Sequence, residues 1–273
     1  EFIQLLQKAK HQYDETGIGQ LDCSYKIFNF KLNRYDYVKY IFSQDEFEKD
    51  YCSITLNFMR CVFREDVDFS HMNFKNTSKI SLIFDDSIFE KNVDFSWVAF
   101  PEHTVFNFTQ FKGQSNFSNS TFEKNKNNCS SSFQGAVFHQ KTIFDECKFY
   151  NGVCFEEASF FSEVSFDDAI FEKETHNFIK TKFLGNKASF SNTKFNKGSN
   201  ISFLNNIVGC LIKFNGANIS SSSSLEFTGI NFEEKGSLLF DFKSLINAQV
   251  KQVIFEGNIF FKDLYINNKD KCL

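Results

Sequence analysis

Phenylalanine recurs along this chain in alternating steps of five and six: Phe84, Phe89, Phe95, Phe100, Phe106, Phe111, Phe117 and Phe122 follow one another without a break. With 40 Phe in 273 residues, seven successive hits at preset positions have a chance probability of roughly 10^-6 by template counting. The same step runs through Phe58, Phe63, Phe69 and Phe74 before this stretch, and through Phe133, Phe138, Phe144, Phe149, Phe155, Phe160, Phe166 and Phe171 after it. An α-helix is excluded, because steps of five and six do not hold one face of a helix with about 3.6 residues per turn. A flat sheet is excluded as well, since a strand alternates over several pairs before it turns, and here each extended piece is only about three residues long.

Two residues before each Phe the side chain is usually small or β-branched, as at Val67, Ser87, Val93, Thr109, Ala136, Thr142, Ala169 and Thr193. In extended backbone, residues i−2 and i point to the same side, so a large ring and a small partner both face inward while i−1, i+1 and i+2 face water. A coil that turns a corner every five or six residues and stacks on itself satisfies both patterns, with the rings forming ladders along its axis. Four faces take about 22 residues, so Phe58 to Phe260 gives about nine coils, and at ~4.8 Å per strand the rod is ~43 Å long. The predicted core ladder is Phe69, Phe74, Phe84, Phe89, Phe95, Phe100, Phe106, Phe111, Phe117, Phe122, Phe133, Phe138, Phe144, Phe149, Phe155, Phe160, Phe166 and Phe171.

Val67-Asp68-Phe69, Val93-Asp94-Phe95, Ser115-Asn116-Phe117 and Ala169-Ile170-Phe171 resemble the pentapeptide-repeat family, whose unit is A-(D/N)-L-x-x with Phe accepted at the centre. The resemblance covers roughly residues 42 to 260 and implies an all-β fold, a right-handed quadrilateral β-helix (β-solenoid). The family's step of five is mostly five-and-six here and Phe almost excludes Leu, so bulged corners and a wider cross-section are expected.

Residues 1–41 read as an N-terminal helical cap or appended segment, and 42–273 as the β-helix, with the last residues, about 262–273, as a C-terminal cap or tail. The first fifty residues hold Tyr13, Tyr25, Tyr35, Tyr37 and Tyr40 of only eight Tyr. Phe2, Leu5, Leu6, Ala9 and Tyr13 fall on one face of a helix that Thr16-Gly17 would end. Covering an open solenoid end is a structural need. The same apolar face is also the candidate interface for a homodimer through a terminal segment. Two loops are expected to leave the rod: residues 124–128, where Asn128 stands where a Phe is due, and the polyserine run 220–224. After Phe171 the step lengthens, so one corner gains residues. The start at Glu1 and the end at Cys272-Leu273 fit a segment of something longer.

Chemistry-bearing patterns are missing from the sequence: it holds no G-x-S-x-G, phosphate loop, G-x-G-x-x-G, H-E-x-x-H or EF-hand motif. The eight cysteines (Cys23, Cys52, Cys61, Cys129, Cys147, Cys154, Cys210, Cys272) include no C-x-x-C and no zinc spacing, and Cys61 and Cys147 occupy the small i−2 slot. His176 takes an inward slot and reads as structural, and the paired carboxylates Asp85-Asp86, Glu156-Glu157 and Asp167-Asp168 read as solvated face residues. No catalytic, cofactor-binding or metal-ligating residue is assigned. No apolar run is long enough to span a membrane and no leader pattern opens the chain, so a soluble, reduced, cytoplasmic protein is expected.

The leading functional expectation is a non-enzymatic scaffold presenting its rod to a protein partner of unknown identity, with no direct nucleic-acid binding. The resemblance supplies one alternative, a mimic of duplex DNA that binds and protects a type II topoisomerase (gyrase). Residues 58–273 hold 25 acidic and 23 basic residues, a net of −2, whereas a duplex carries about one charge per 1.7 Å of axis. A further alternative is a sensor or effector module of a larger membrane-coupled protein.

Overall fold

The computed structural model describes residues 2–16, 18–32, 53–74, 80–122, 131–150, 152–220, 222–239, 254–255, 258–262 and 265–266. Among these residues, thirty-five short parallel strands fall into four sheets, here A to D in the order the chain visits them, of ten, ten, eight and seven strands. Each turn of chain adds one strand to each sheet, so the shortest sheet counts seven complete turns of a right-handed quadrilateral β-helix. Nine intervals across a ten-stranded sheet, at ~4.8 Å each, give a rod of ~43 Å.

The alternation of five and six has a geometric cause. The step of five crosses the A–B and C–D corners, as from Phe84 to Phe89 and from Phe95 to Phe100; the step of six crosses B–C and D–A, as from Phe89 to Phe95 and from Phe100 to Phe106. The five-residue corners are tight turns, each with its second residue in the left-handed region, from Tyr25, Arg60 and Asp86 to Gly229 on one edge and from His71 and Trp97 to Gly216 on the other. In most of these turns the amide of the i−2 residue donates back across the corner, for example Thr109 N to Phe106 O at 3.2 Å and Ser120 N to Phe117 O at 3.2 Å. The extra residue of each turn is thus confined to two diagonal corners. Longer excursions concentrate at D–A, where the step grows to seven from Phe171 to Phe178 and eight from Phe195 to Phe203.

Each sheet stacks its inward rings in near-parallel columns, as Phe84 on Phe106 (5.0 Å, 2°), Phe111 on Phe138 (4.7 Å, 1°) and Phe144 on Phe166 (4.9 Å, 7°). Rings of neighbouring columns meet edge to face, as Phe106 and Phe117 do at 5.8 Å and 86°. The ring quadrupole favours both offset-stacked and edge-to-face contacts, so one residue type can tile the core in both directions. All eighteen rings of the sequence ladder are at most 3% exposed.

The small i−2 slot at the tight corners carries a second function in the coil. Thr109 Oγ1 donates to the carbonyl of Phe84 one turn earlier at 2.7 Å, Thr181 Oγ1 to Phe155 at 2.8 Å, and Thr193 Oγ1 to Phe166 at 3.0 Å. The thiols of Cys61 and Cys147 donate in the same way, to Cys23 O at 2.8 Å and Phe117 O at 2.9 Å. Each such bond is worth about 1 kcal/mol net and ties adjacent turns together through the core.

Three expectations need correction. The rod begins before residue 42: strands Ile18–Asp22 and Ile27–Phe28 pair with Ser53–Asn57 and Val62–Phe63. This first turn was hidden because buried Cys23 occupies a position that Phe fills in later turns. The helix, α1 (Phe2–Thr16), packs against Ile18–Asp22, so among the described residues of 1–41 only α1 stands apart from the coil. The described serines of the polyserine run belong to the D–A corner and are tied to the rod, with Ser223 buried and donating to Asn196 O at 2.7 Å, and with Ser224 opening the strand Ser224–Thr228. Residues 124–128 lie outside the described residues.

One close approach is a test of how tightly turns are pressed together. A Cβ on Gly185, at the B–C corner, would sit 2.0 Å from the carbonyl oxygen of Ser162 and 2.6 Å from its Cα. Backbone cannot move aside as a side chain can, so Gly185→Ala is expected to destabilise by about 1–3 kcal/mol. A urea titration checks this; an unchanged midpoint would mean that neighbouring turns separate there at no cost.

Candidate interaction surface

With the interior filled by rings, chemistry can reside only on the outward slots and at the corners. Seven successive strands of sheet A, from Ser53–Asn57 to Asn200–Leu204, contain no Asp, Glu, Lys or Arg. Charge gathers elsewhere. Arg60 pairs with Asp86 at 3.2 Å and Lys180 with Glu157 at 2.8 Å along the A–B corner, while Glu163 on sheet C lies 3.8 Å from both Lys141 and Lys187. These are exposed pairs of both signs, each worth little on its own.

The buried and half-buried titratable groups are committed to the coil. Burial pushes the thiols up, Cys23 to about 12 and Cys61 and Cys210 to about 11, with Cys147 raised further, so none is a ready nucleophile. Burial also raises Asp85 and Asp145, but their carboxylates accept backbone amides one turn on, Asn107 N at 2.8 Å and Asp167 N at 3.0 Å. Asp167 in turn accepts Ser191 N at 2.8 Å. His176 is wholly buried, and its Nε2 lies 2.9 Å from Glu172 O. Among the described residues, no three His, Cys, Asp or Glu gather to hold a metal ion, and no helix is long and apolar enough to cross a membrane.

The geometry is that of a repeat stacked on itself, and the family comparison falls on its most regular part: residues 133–176 match the model for pentapeptide repeats (9 copies). The chain carries pentapeptide repeats. The strands before and after 133–176 keep the same parallel register, as Gln110↔Val137 and Ile170↔Lys194 do, so the coil extends beyond the matched segment. No curated protein matches the chain.

Of the N-terminal residues proposed as a cap or interface, Ala9 is buried and Leu5 packs on the edge of the core. The side chains of Phe2, Leu6 and Tyr13 lie outside the described residues. The outward residues that stand out were not singled out from the sequence: Trp97, Phe108 and Phe161 are about half exposed, at 57%, 54% and 49%. Trp97 and Phe108 occupy the left-handed position of the tight corners (φ 59° and 56°), which other turns fill with Asp86, Asn119, Gly135 or Asn192 and also with the larger Tyr25, Arg60, His71, Glu146, Glu157 and Lys180. A bulky side chain there costs roughly 1–2 kcal/mol. Phe108 is partly accounted for, because its ring lies over Gly135, where a Cβ would meet Phe108 Cδ1 at 2.5 Å. Phe161 lies parallel to His139 at 5.7 Å and Trp97 to His71 at 6.1 Å. The spacing held the signal: two residues after a ladder Phe, as at Trp97 and Phe108, is a corner, and one residue after it, as at Phe161, extended backbone points the side chain away from the core.

Proposed function

We propose that this pentapeptide-repeat rod is a non-enzymatic scaffold that binds a macromolecular partner through its outer surface. The observation that carries this reading is the outward placement of large aromatic side chains at corner positions whose backbone disfavours them, above all Trp97. Their contacts with His71 and Gly135 leave about half of each ring exposed, and aromatic anchors dominate protein interfaces. The thiols, carboxylates and imidazole that could do chemistry are instead bonded into the coil. Mixed charge on the corners, with ion pairs of both orientations, weighs against imitation of a uniformly negative duplex.

The test is co-migration. In an extract of the source cells the intact chain is expected to elute in a complex well above its own 31.8 kDa, and a triple variant, Trp97→Gly, Phe108→Gly and Phe161→Ser, with an unchanged melting temperature, is expected to elute alone. If the wild-type chain elutes identically in extract and in buffer, the reading is wrong.

A further inference from the structure

The edge between sheets C and D carries two unfavourable features side by side in its first turns. The first is an aromatic ledge. Trp97, the one tryptophan of the chain, projects from the left-handed corner position and lies parallel to His71 of the preceding turn at 6.1 Å and 2° between planes. The second is an unbalanced charge ladder on the adjoining face of sheet C. Asp68 and Asp94 stand directly opposite each other in the parallel register, ~4.8 Å apart by strand spacing, and like charges so placed destabilise a sheet.

Both carboxylates are held by hydrogen bonds from neutral groups. Asp68 accepts Ser70 N at 2.9 Å; Asp94 accepts Ser96 N at 2.8 Å and Asn116 Nδ2 at 3.2 Å; no cationic side chain among the described residues pairs with either. Residues 66–73, 92–99 and 114–121, which form this face and edge in three successive turns, contain Asp66, Asp68 and Asp94 and no Lys or Arg, in a chain with 30 of them; in the turn before, Lys31 stands next to Leu32, which bridges Val67, and so lies on the Asp66 side of the face. Further along, the same sheet face is balanced by Lys141, Lys187 and Lys213. Acidity and exposed aromatic surface therefore coincide at one end of one edge.

We propose that this edge docks an arginine-bearing segment of a protein partner, the guanidinium stacking on Trp97 while its N–H fork reaches Asp94 and Asp68. The proposal rests on the scaffold reading above and names the chemistry of the partner. A guanidinium is favoured over an ammonium because it is planar and less strongly hydrated, so it can lie on an indole face and still bond a carboxylate. Binding would also neutralise the Asp68–Asp94 repulsion that the free rod carries.

Because Trp97 is the sole indole, its fluorescence reports this site directly. Titration of the full chain with an octa-arginine peptide is expected to quench it saturably, with an octa-lysine peptide at least about tenfold weaker. In calorimetry, Asp68→Asn/Asp94→Asn and, separately, Trp97→Gly are each expected to weaken octa-arginine binding by about tenfold or more. Trp97→Gly should also hold or raise the melting temperature, since glycine suits the left-handed position; a purely structural Trp97 would lower it. Equal affinity for the two peptides, or affinity unchanged by either variant, overturns the proposal as non-specific charge attraction. If no peptide binds while the chain still enters its larger complex in extract, this inference fails and the scaffold reading stands; if the complex is missing as well, both fail.

Discussion

Phe133→Ala is expected to remove about 3–5 kcal/mol of stability, the range for deleting a buried ring, and so to be the most damaging single truncation among the central turns. Phe133 has no exposed surface and lies between Phe106 and Phe155, each 4.9 Å away and within 7° of parallel. The edges of its ring meet Phe117 and Phe144 at 5.5 Å and Phe122 at 6.0 Å, so one substitution breaks two stacked and three edge contacts. The hole cannot close by local collapse, because the strands above and below are pinned by parallel hydrogen bonds at fixed spacing. A solenoid turn contacts only its neighbours, so damage in the middle uncouples the two halves. Urea unfolding of Phe133→Ala beside Phe161→Ala makes the comparison, the latter being half exposed and expected within about 0.5 kcal/mol of wild type. Similar losses for both would show that the ring stacks are not what holds the coil.

That prediction was within reach of the sequence, because the Phe step and the small i−2 partner together state which side chains face inward. The five-and-six alternation also encoded the corners, tight where the step is five and wider where it is six, although spacing alone does not say that the left-handed residue falls two after the Phe. What stayed hidden did so for physical reasons. The first turn replaces a ring by the thiol of Cys23, and among its described residues Phe28 is the one inward Phe, beside Leu21 and Leu32, so no Phe step marks it. Ser223 looks solvated by composition, yet an inward hydroxyl that can donate to the turn before it is as good a core residue as Thr193. The candidate surface was the least legible, since the Phe beat draws attention to aromatics as core and conceals the fact that Trp97, Phe108 and Phe161 are out of phase with it.

Acid should weaken this rod through one side chain in particular. His176 fills an inward i−2 slot before Phe178, edge-on to Phe171 at 4.9 Å and 83°. Its Nδ1 faces Val153 N at 3.4 Å and its Nε2 faces Glu172 O at 2.9 Å, an arrangement for a neutral ring that donates from Nε2. Burial away from water disfavours the imidazolium and drops its pKa from 6.5 to about 4, the backbone bond to Glu172 opposing this only in part. The unfolded chain therefore takes up a proton near pH 6.5 while the folded chain resists until about pH 4. Stability due to the neutral ring is complete above the unfolded value and falls as pH descends through that window, by roughly 3 kcal/mol at about 1.4 kcal/mol per pH unit. Replacing His176 by Gln, which keeps a donor for Glu172 O, is expected to flatten the decline between pH 6.5 and 4 while costing some stability at neutral pH. Parallel urea titrations of both chains across that range decide the matter: an equally steep decline in the variant would assign acid sensitivity to other groups and leave His176 as inert packing.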